Sequence, residues 1–201
     1  MPTARELIPA FLSAIGLLTF FLIVEVIFRW RQLDPEQSRR LSHMTGTLFG
    51  IGIASYFSRS IFITIALLFL AIIIISRRKN YFSHIHKVFR KTFGEELLPV
   101  GLLVSYLISN ANPDIFIPTF LITGFSDPVN GYVVQKSKSR MFGSAMFLLT
   151  AFVILFFFSD IKPLTAILIG LSATIVERLS SYGTDNLTVP AIVAWLLLNF
   201  S

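Results

Sequence analysis

Between Ile61 and Ile75 the chain reads Ile-Phe-Ile-Thr-Ile-Ala-Leu-Leu-Phe-Leu-Ala-Ile-Ile-Ile-Ile, with no charged side chain anywhere in the run. Such a stretch has no face to offer to water, so it predicts a helix surrounded either by hydrocarbon or by a very large core. Size closes the second option. A chain of 201 residues that is 54% hydrophobic and carries 21 Phe cannot build enough interior to hide them all. Only 14% of the residues are charged, and the mean hydropathy is +0.75, a combination that soluble domains rarely show. The first apolar run, Leu7 to Phe28, is too long for a signal peptide and lacks a small-residue cleavage site, so it reads as a span. The absence of cysteine excludes disulfides, thiol catalysis and Cys-ligated zinc.

Taken in order, the apolar runs predict an all-α polytopic membrane protein, a single integral domain over 1–201 with seven or eight transmembrane segments. The expected segments are Leu7–Phe28, Leu41–Phe57, Ile61–Ser76, Glu95–Ser109, Asp114–Phe125, Ser144–Phe158, Pro163–Val176 and Asn186–Phe200. Gly46 and Gly50 stand one helical turn apart, a spacing that suits close packing or leaves room beside the helix. Pro118 marks the short 114–125 segment as broken or re-entrant. Arg29 to Arg40 is expected as a polar loop. The basic connector Arg77 to Phe93 reads as a topological flank or an amphipathic helix lying at the headgroups.

Charge sets the orientation. The connections at 29–43, 77–94, 126–142 and 177–186 hold 14 of the 17 Lys and Arg, and the other side keeps only Arg5, Arg59 and Lys162. That bias predicts a cytoplasmic location for the four connections, with both termini on the non-cytoplasmic side. The net charge of +6 would also suit nucleic acid, but the cations are scattered through short connections, without a basic face or stacking platform. Nucleic acid is therefore not an expected partner, whereas the lipid bilayer is.

Three polar constellations lie on the predicted cytoplasmic side. The first is Arg39-Arg40-Leu-Ser-His43, where two cations before a helix start can grip phosphate oxygens and His43 can bind phosphate or orient a carboxylate. The second is a central loop from Gly124 to Ser144. It holds Asp127-Pro128, Asn130-Gly131, Lys136 and Lys138, and then Gly143-Ser144 opening an apolar helix. An acid to hold Mg²⁺, cations to attract phosphates and free N–H groups at a helix start are the parts of a polyphosphate site. The third is Glu177 followed by Asp185-Asn186-Leu-Thr-Val-Pro190. Asp185 or Asn186 can cap the last helix, but Glu177 ends an apolar span, where an ionisable group is costly and usually functional. Glu25, near the end of the first span, falls under the same rule as possible support. No Walker A loop, dinucleotide glycine fingerprint or Ser-His-Asp arrangement is present.

The order Arg-Arg…His…Gly, then Ser-Asp-Pro…Lys-Ser…Gly-Ser, then Glu…Asp-Asn-Leu-Thr-Val-Pro resembles the CTP-dependent lipid-alcohol kinases. These are the polyprenol (dolichol), phytol and diacylglycerol kinases, distantly similar to phosphatidate cytidylyltransferases. The likeness runs from about Glu25 to Pro190. It implies transfer of the terminal phosphate of CTP, or of another nucleoside triphosphate, to an isoprenoid or other lipid alcohol at the cytoplasmic face. Implied with it are Mg²⁺ held by Asp127, Glu177 and Asp185, and nucleotide contacts from Arg39, Arg40, His43, Asn130, Gly131, Lys136, Lys138, Gly143, Ser144 and Asn186. Asp127 or Asp185 accepts the hydroxyl proton, and the residues leave open which acts as base and which as metal ligand. Two alternatives remain on the residues alone. One is a cytidylyltransferase-like CDP-lipid synthase, and the other a small transporter, which would want polar groups near the midplane and paired broken helices.

Overall fold

The computed structural model describes residues 4–32, 34–79, 81 and 92–200. Among them there is no strand, and nine α-helices succeed one another: α1 (Ala4–Trp30), α2 (Pro35–Tyr56), α3 (Arg59–Arg78), α4 (Gly94–Ile108), α5 (Pro113–Leu121), α6 (Asp127–Ser137), α7 (Arg140–Phe158), α8 (Pro163–Leu179) and α9 (Asp185–Phe200). A single π turn, Ile122–Ser126, joins α5 to α6. The amphipathic helix expected over Arg77–Phe93 falls largely on residues 82–91, outside the described ones.

Three helices, α1, α3 and α7, are long and apolar enough to cross a membrane. Their surfaces fit that environment. Phe11, Leu12 and Leu22 on α1, and Phe156, Phe157 and Phe158 on α7, all point outward. Exposed apolar area on this scale marks a surface made for something other than water, and an association with the bilayer accounts for it.

Two expectations about loops are corrected. Arg29–Arg40 is not a loop up to the arginines, because α2 begins at Pro35. Asp34 caps it by accepting from the Glu36 amide at 3.0 Å, and Pro35 occupies the first turn, where its missing N–H costs nothing. The central stretch after Gly124 is not a loop either. It continues α5 through the π turn into α6, which ends only at Lys138, in the left-handed conformation with φ 58°. Pro118 does not break the segment.

The helix formed by α5, the π turn and α6 stands between two cores. Ile115 and Ile122 pack with Phe147, Leu155, Val193 and Leu197 of α7 and α9. Phe116 and Phe120, on the other face, pack with Ile53, Phe62, Leu102 and Tyr106 of α2, α3 and α4. The helices α4 and α9 run in near-contact at Gly101, where a Cβ would stand 1.9 Å from the Asn186 carbonyl oxygen.

The four charged connections meet at one end of the bundle. Arg77 at the end of α3 bonds Glu96 at the start of α4 at 2.5 Å. The Phe93 amide donates to the Tyr182 carbonyl at 2.8 Å, and Arg178 donates to Ser144 Oγ at 3.2 Å. Arg40 reaches Gln135 Oε1 at 2.9 Å, and Gln135 in turn donates to Asp34 at 3.0 Å.

Candidate functional site

The π turn is the local event on which the site is built. In a π turn the carbonyl of residue i looks for the N–H of residue i+5. For Thr123 that residue is Pro128, which has none. The Thr123 carbonyl instead lies 3.1 Å from His43 Nε2 on α2. A carbonyl can only accept, so Nε2 carries the proton. Close approach of α2 is possible because residue 124 is glycine, since a Cβ there would sit 2.6 Å from Thr47 Cβ. His43, buried at 7% exposure, therefore anchors the turn that presents Asp127, and this commitment leaves Nε2 no proton for a phosphate.

Asp127 opens α6 and faces a narrow, closed-up crevice with about 180 Å³ of empty space, its open side included, whose walls also include Thr123, Glu177, Asp185 and Asn186. The three acids expected to share a guest thus come together from three separate helices, α6, α8 and α9. Asn130, one turn beyond Asp127, donates its amide to Glu177 Oε1 at 2.6 Å. Its seat depends on Gly143 of α7, where a Cβ would lie 2.2 Å from Asn130 Oδ1. Asn186 is 3% exposed and donates to the Gly94 carbonyl at 2.8 Å, tying α9 to the start of α4. It therefore does not cap α9, which begins at Asp185 itself.

Arg39 and Arg40 do not form one clamp. Consecutive residues on a helix lie about 100° apart around its axis, and the two side chains go separate ways. Arg39 bonds Glu36 Oε2 through Nε and Nη2, both at 3.2 Å. Burial works against its charge, but Asp127 first and Glu36 next outweigh that penalty and hold the guanidinium above its ordinary pKa. Arg40 lies beside Gly131 and 6.0 Å over the Tyr132 ring, and burial leads the causes that pull its pKa down. Of the pair, Arg39 is the cation that senses Asp127 most.

Lys136 and Lys138 are exposed, the former 5.9 Å over the Tyr132 ring. Because the stretch is helical, their Cα atoms stand about 14–16 Å along the axis from Asp127 at 1.5 Å per residue. Gly143 and Ser144 do not open α7, which starts at Arg140 with Ser139 as its cap, and the Gly143 amide already donates to the Ser139 carbonyl at 3.2 Å. Glu25 is buried on α1, at 8% exposure, away from the crevice walls.

The charged donors of the crevice are the carboxylates of Asp127, Glu177 and Asp185, oxygen ligands that fit a hard cation such as Mg²⁺. The side chains do not form a cage, since among the described residues no three acids or imidazoles converge closely enough to hold an ion by themselves. That arrangement suits the usual magnesium mode, in which one or two carboxylates bind and phosphate oxygens and water complete the shell.

A second, larger space lies on the other side of α2. It is a groove between α1, α2, α3 and α4 with about 1110 Å³ of empty space, its open side included. Glu95, in the first turn of α4, stands at its polar end. No signal in the linear chain sets Glu95 beside Arg39, because the pairing of α2 with α4 is purely tertiary.

No family model matches the chain, and no curated protein or solved structure is similar to it.

Proposed function

We propose that the chain is a membrane lipid-alcohol kinase, transferring the terminal phosphate of CTP or another nucleoside triphosphate to a hydroxyl held at the cytoplasmic face. The observation that carries this reading is the meeting of Asp127, Glu177 and Asp185 on one crevice, with Arg39 electrostatically coupled to Asp127. Phosphoryl transfer needs positioning and charge neutralisation more than covalent help. A site of acids and one partly buried cation at a bundle end supplies both.

In this reading one of Asp127 and Asp185, together with Glu177, would hold Mg²⁺, which supplies charge neutralisation on the phosphate oxygens when bound. Asn130 fixes the rotamer of Glu177, so that this carboxylate enters the site in one orientation. Arg39 contributes positive charge on the Asp127 side. The acceptor oxygen attacks the terminal phosphorus and its bond to the bridging oxygen breaks, with CDP leaving. The hydroxyl proton passes to a carboxylate oxygen of Asp127 or Asp185. As it stands the crevice has no room even for a water-sized sphere, so nucleotide entry requires its walls to part, a lid-type motion.

The finer topology belongs to the same proposal. Eight membrane crossings, an even number, place the four cation-rich connections in the cytoplasm and both termini opposite. The hydrogen bonds that lace those connections at one end of the bundle support that arrangement. Product analysis with labelled CTP tests the chemistry. A kinase leaves CDP and a phospholipid-like monophosphate. A CDP-lipid synthase releases pyrophosphate and retains cytidine on the lipid, and that outcome replaces this reading.

A further inference from the structure

The groove between α1, α2, α3 and α4 has a direction. Its polar residues, Arg39, Ser42, His43, Ser76 and Glu95, all sit where α2 and α4 begin and α3 ends. From there to Ile53 on α2 and Phe62 on α3 the walls are apolar, built from side chains such as Phe49, Ile65, Phe69 and Leu102. The distance from Arg39 to Ile53, and equally from Ser76 to Phe62, is about 21 Å at the helical rise. That is roughly two-thirds of the ~30 Å hydrocarbon core of a bilayer. Ser42 Oγ, at the polar end, is buried and makes no hydrogen bond. Gly46 keeps the α2 wall thin along the middle of the groove, where a Cβ would meet only Phe21 Cζ at 3.7 Å, while Gly50 lets Leu102 and Phe120 pack close against α2, a Cβ there lying 3.3 and 3.6 Å from them.

The polar end adjoins the acid crevice. His43 and Arg39 line the groove, while Thr123 and Asp127 line the crevice, and the two pairs are joined by the His43–Thr123 hydrogen bond and by the charge of Asp127 on Arg39. A ligand head at Ser42, next in sequence to His43, stands on the groove side of this seam.

We infer that the groove is the acceptor site and that it takes a single-chain amphiphile, a long-chain alcohol whose hydrocarbon lies along Gly46 and Gly50 with its hydroxyl at Ser42. One run of apolar wall with one polar end matches one chain and one small head. A two-chain lipid would leave its second chain against polar residues or outside. The identity of the head as an alcohol rests on the kinase reading, and the chain-binding groove does not.

The test uses a 20-carbon isoprenoid alcohol carrying a diazirine, photolysed with the full chain in nanodiscs, with adducts mapped by mass spectrometry. Adducts on Phe49, Ile65 or Phe69, at least tenfold weaker in both Gly46→Leu and Ala66→Leu, are expected, with unlabelled alcohol competing and dioleoylglycerol not. CTP binding, measured on the same variants by equilibrium dialysis, is expected to stay within twofold of wild type. Adducts spread over the outward faces of α1 and α7, or undiminished in both variants, overturn the proposal. Equal competition by dioleoylglycerol overturns its single-chain part. Groove adducts from a protein that transfers no phosphate leave the groove assignment standing and remove the kinase reading.

Discussion

Asn130 on α6 donates its side-chain amide to Glu177 Oε1 on α8 across 2.6 Å, tying the helix that carries Asp127 to the one that ends at the crevice. An amide N–H complements a carboxylate acceptor, where a second acid in its place would oppose it. A hydrogen bond to a charged group contributes about 1.5–3 kcal/mol. Asn130→Ala should therefore lower stability by about that amount and slow transfer at least ~10-fold through a misplaced Glu177. Asn130→Asp should be worse, because two carboxylates would face each other. Thermal melting and initial rates on the two variants check both statements.

Arg39 and the two lysines should separate cleanly. Removing the partly buried cation that feels the charge of Asp127 takes away charge stabilisation, for which losses of about 10²–10³-fold in kcat are typical. Arg39→Ala should fall in that range. Lys136→Ala and Lys138→Ala, exposed and about 14–16 Å from Asp127 along the helix axis, should retain kcat and alter mainly the salt dependence of nucleotide binding. A large kcat loss in either lysine variant would mean that the nucleotide lies along α6 rather than at its start.

Two glycines should prove intolerant for packing reasons. A methyl at Gly101 collides with the Asn186 carbonyl at 1.9 Å, and one at Gly143 with Asn130 Oδ1 at 2.2 Å. Overpacking of this kind costs about 1–3 kcal/mol. Gly101→Ala should lower the melting temperature through the α4–α9 contact. Gly143→Ala should add a loss of activity, because Asn130 must move and Glu177 with it. Paired melting and rate measurements distinguish the two.

Orientation can be read directly, because the chain has no native cysteine. Single cysteines at Lys136 and at Lys162, both exposed, should react with a membrane-impermeant maleimide from opposite sides of sealed vesicles. Labelling of both from the same side would contradict the charge-derived topology.

Much of the fold was legible because hydrophobic runs and helix punctuation are local signals. Pro163, Asp185 and the run from Ile61 each mark an element close to where it lies. The arginine pair lies inside α2 rather than before it, because Asp34 and Pro35 start a helix within a stretch whose polar composition suggests a loop. The stretch after Gly124 looked like a loop because Pro128, Gly131 and the polar side chains are loop-like by composition. Tertiary contacts override that propensity: Gly124 packs on Thr47, Gly143 on Asn130, and the π turn absorbs the proline. The convergence of Asp127, Glu177 and Asp185 was inferred from one-sided charge alone. The roles of His43 as an anchor for Thr123 and of Asn186 as a tie to Gly94 depend on helix pairings that no linear pattern encodes.

The most direct test of the central claim is a transfer assay with the full chain in nanodiscs, Mg²⁺, each of four terminally labelled nucleoside triphosphates and a panel of prenols and diacylglycerol, run on wild type beside Asp127→Asn and Asp185→Asn. The account predicts label on a lipid alcohol with wild type, with at least one nucleotide. It predicts loss of that product by about 10³-fold or more in both variants, the scale on which a group that positions the phosphates acts, while their melting temperatures stay close to wild type. Lipid product that persists near the wild-type rate in either variant, or no labelled lipid from wild type with any nucleotide, would contradict it.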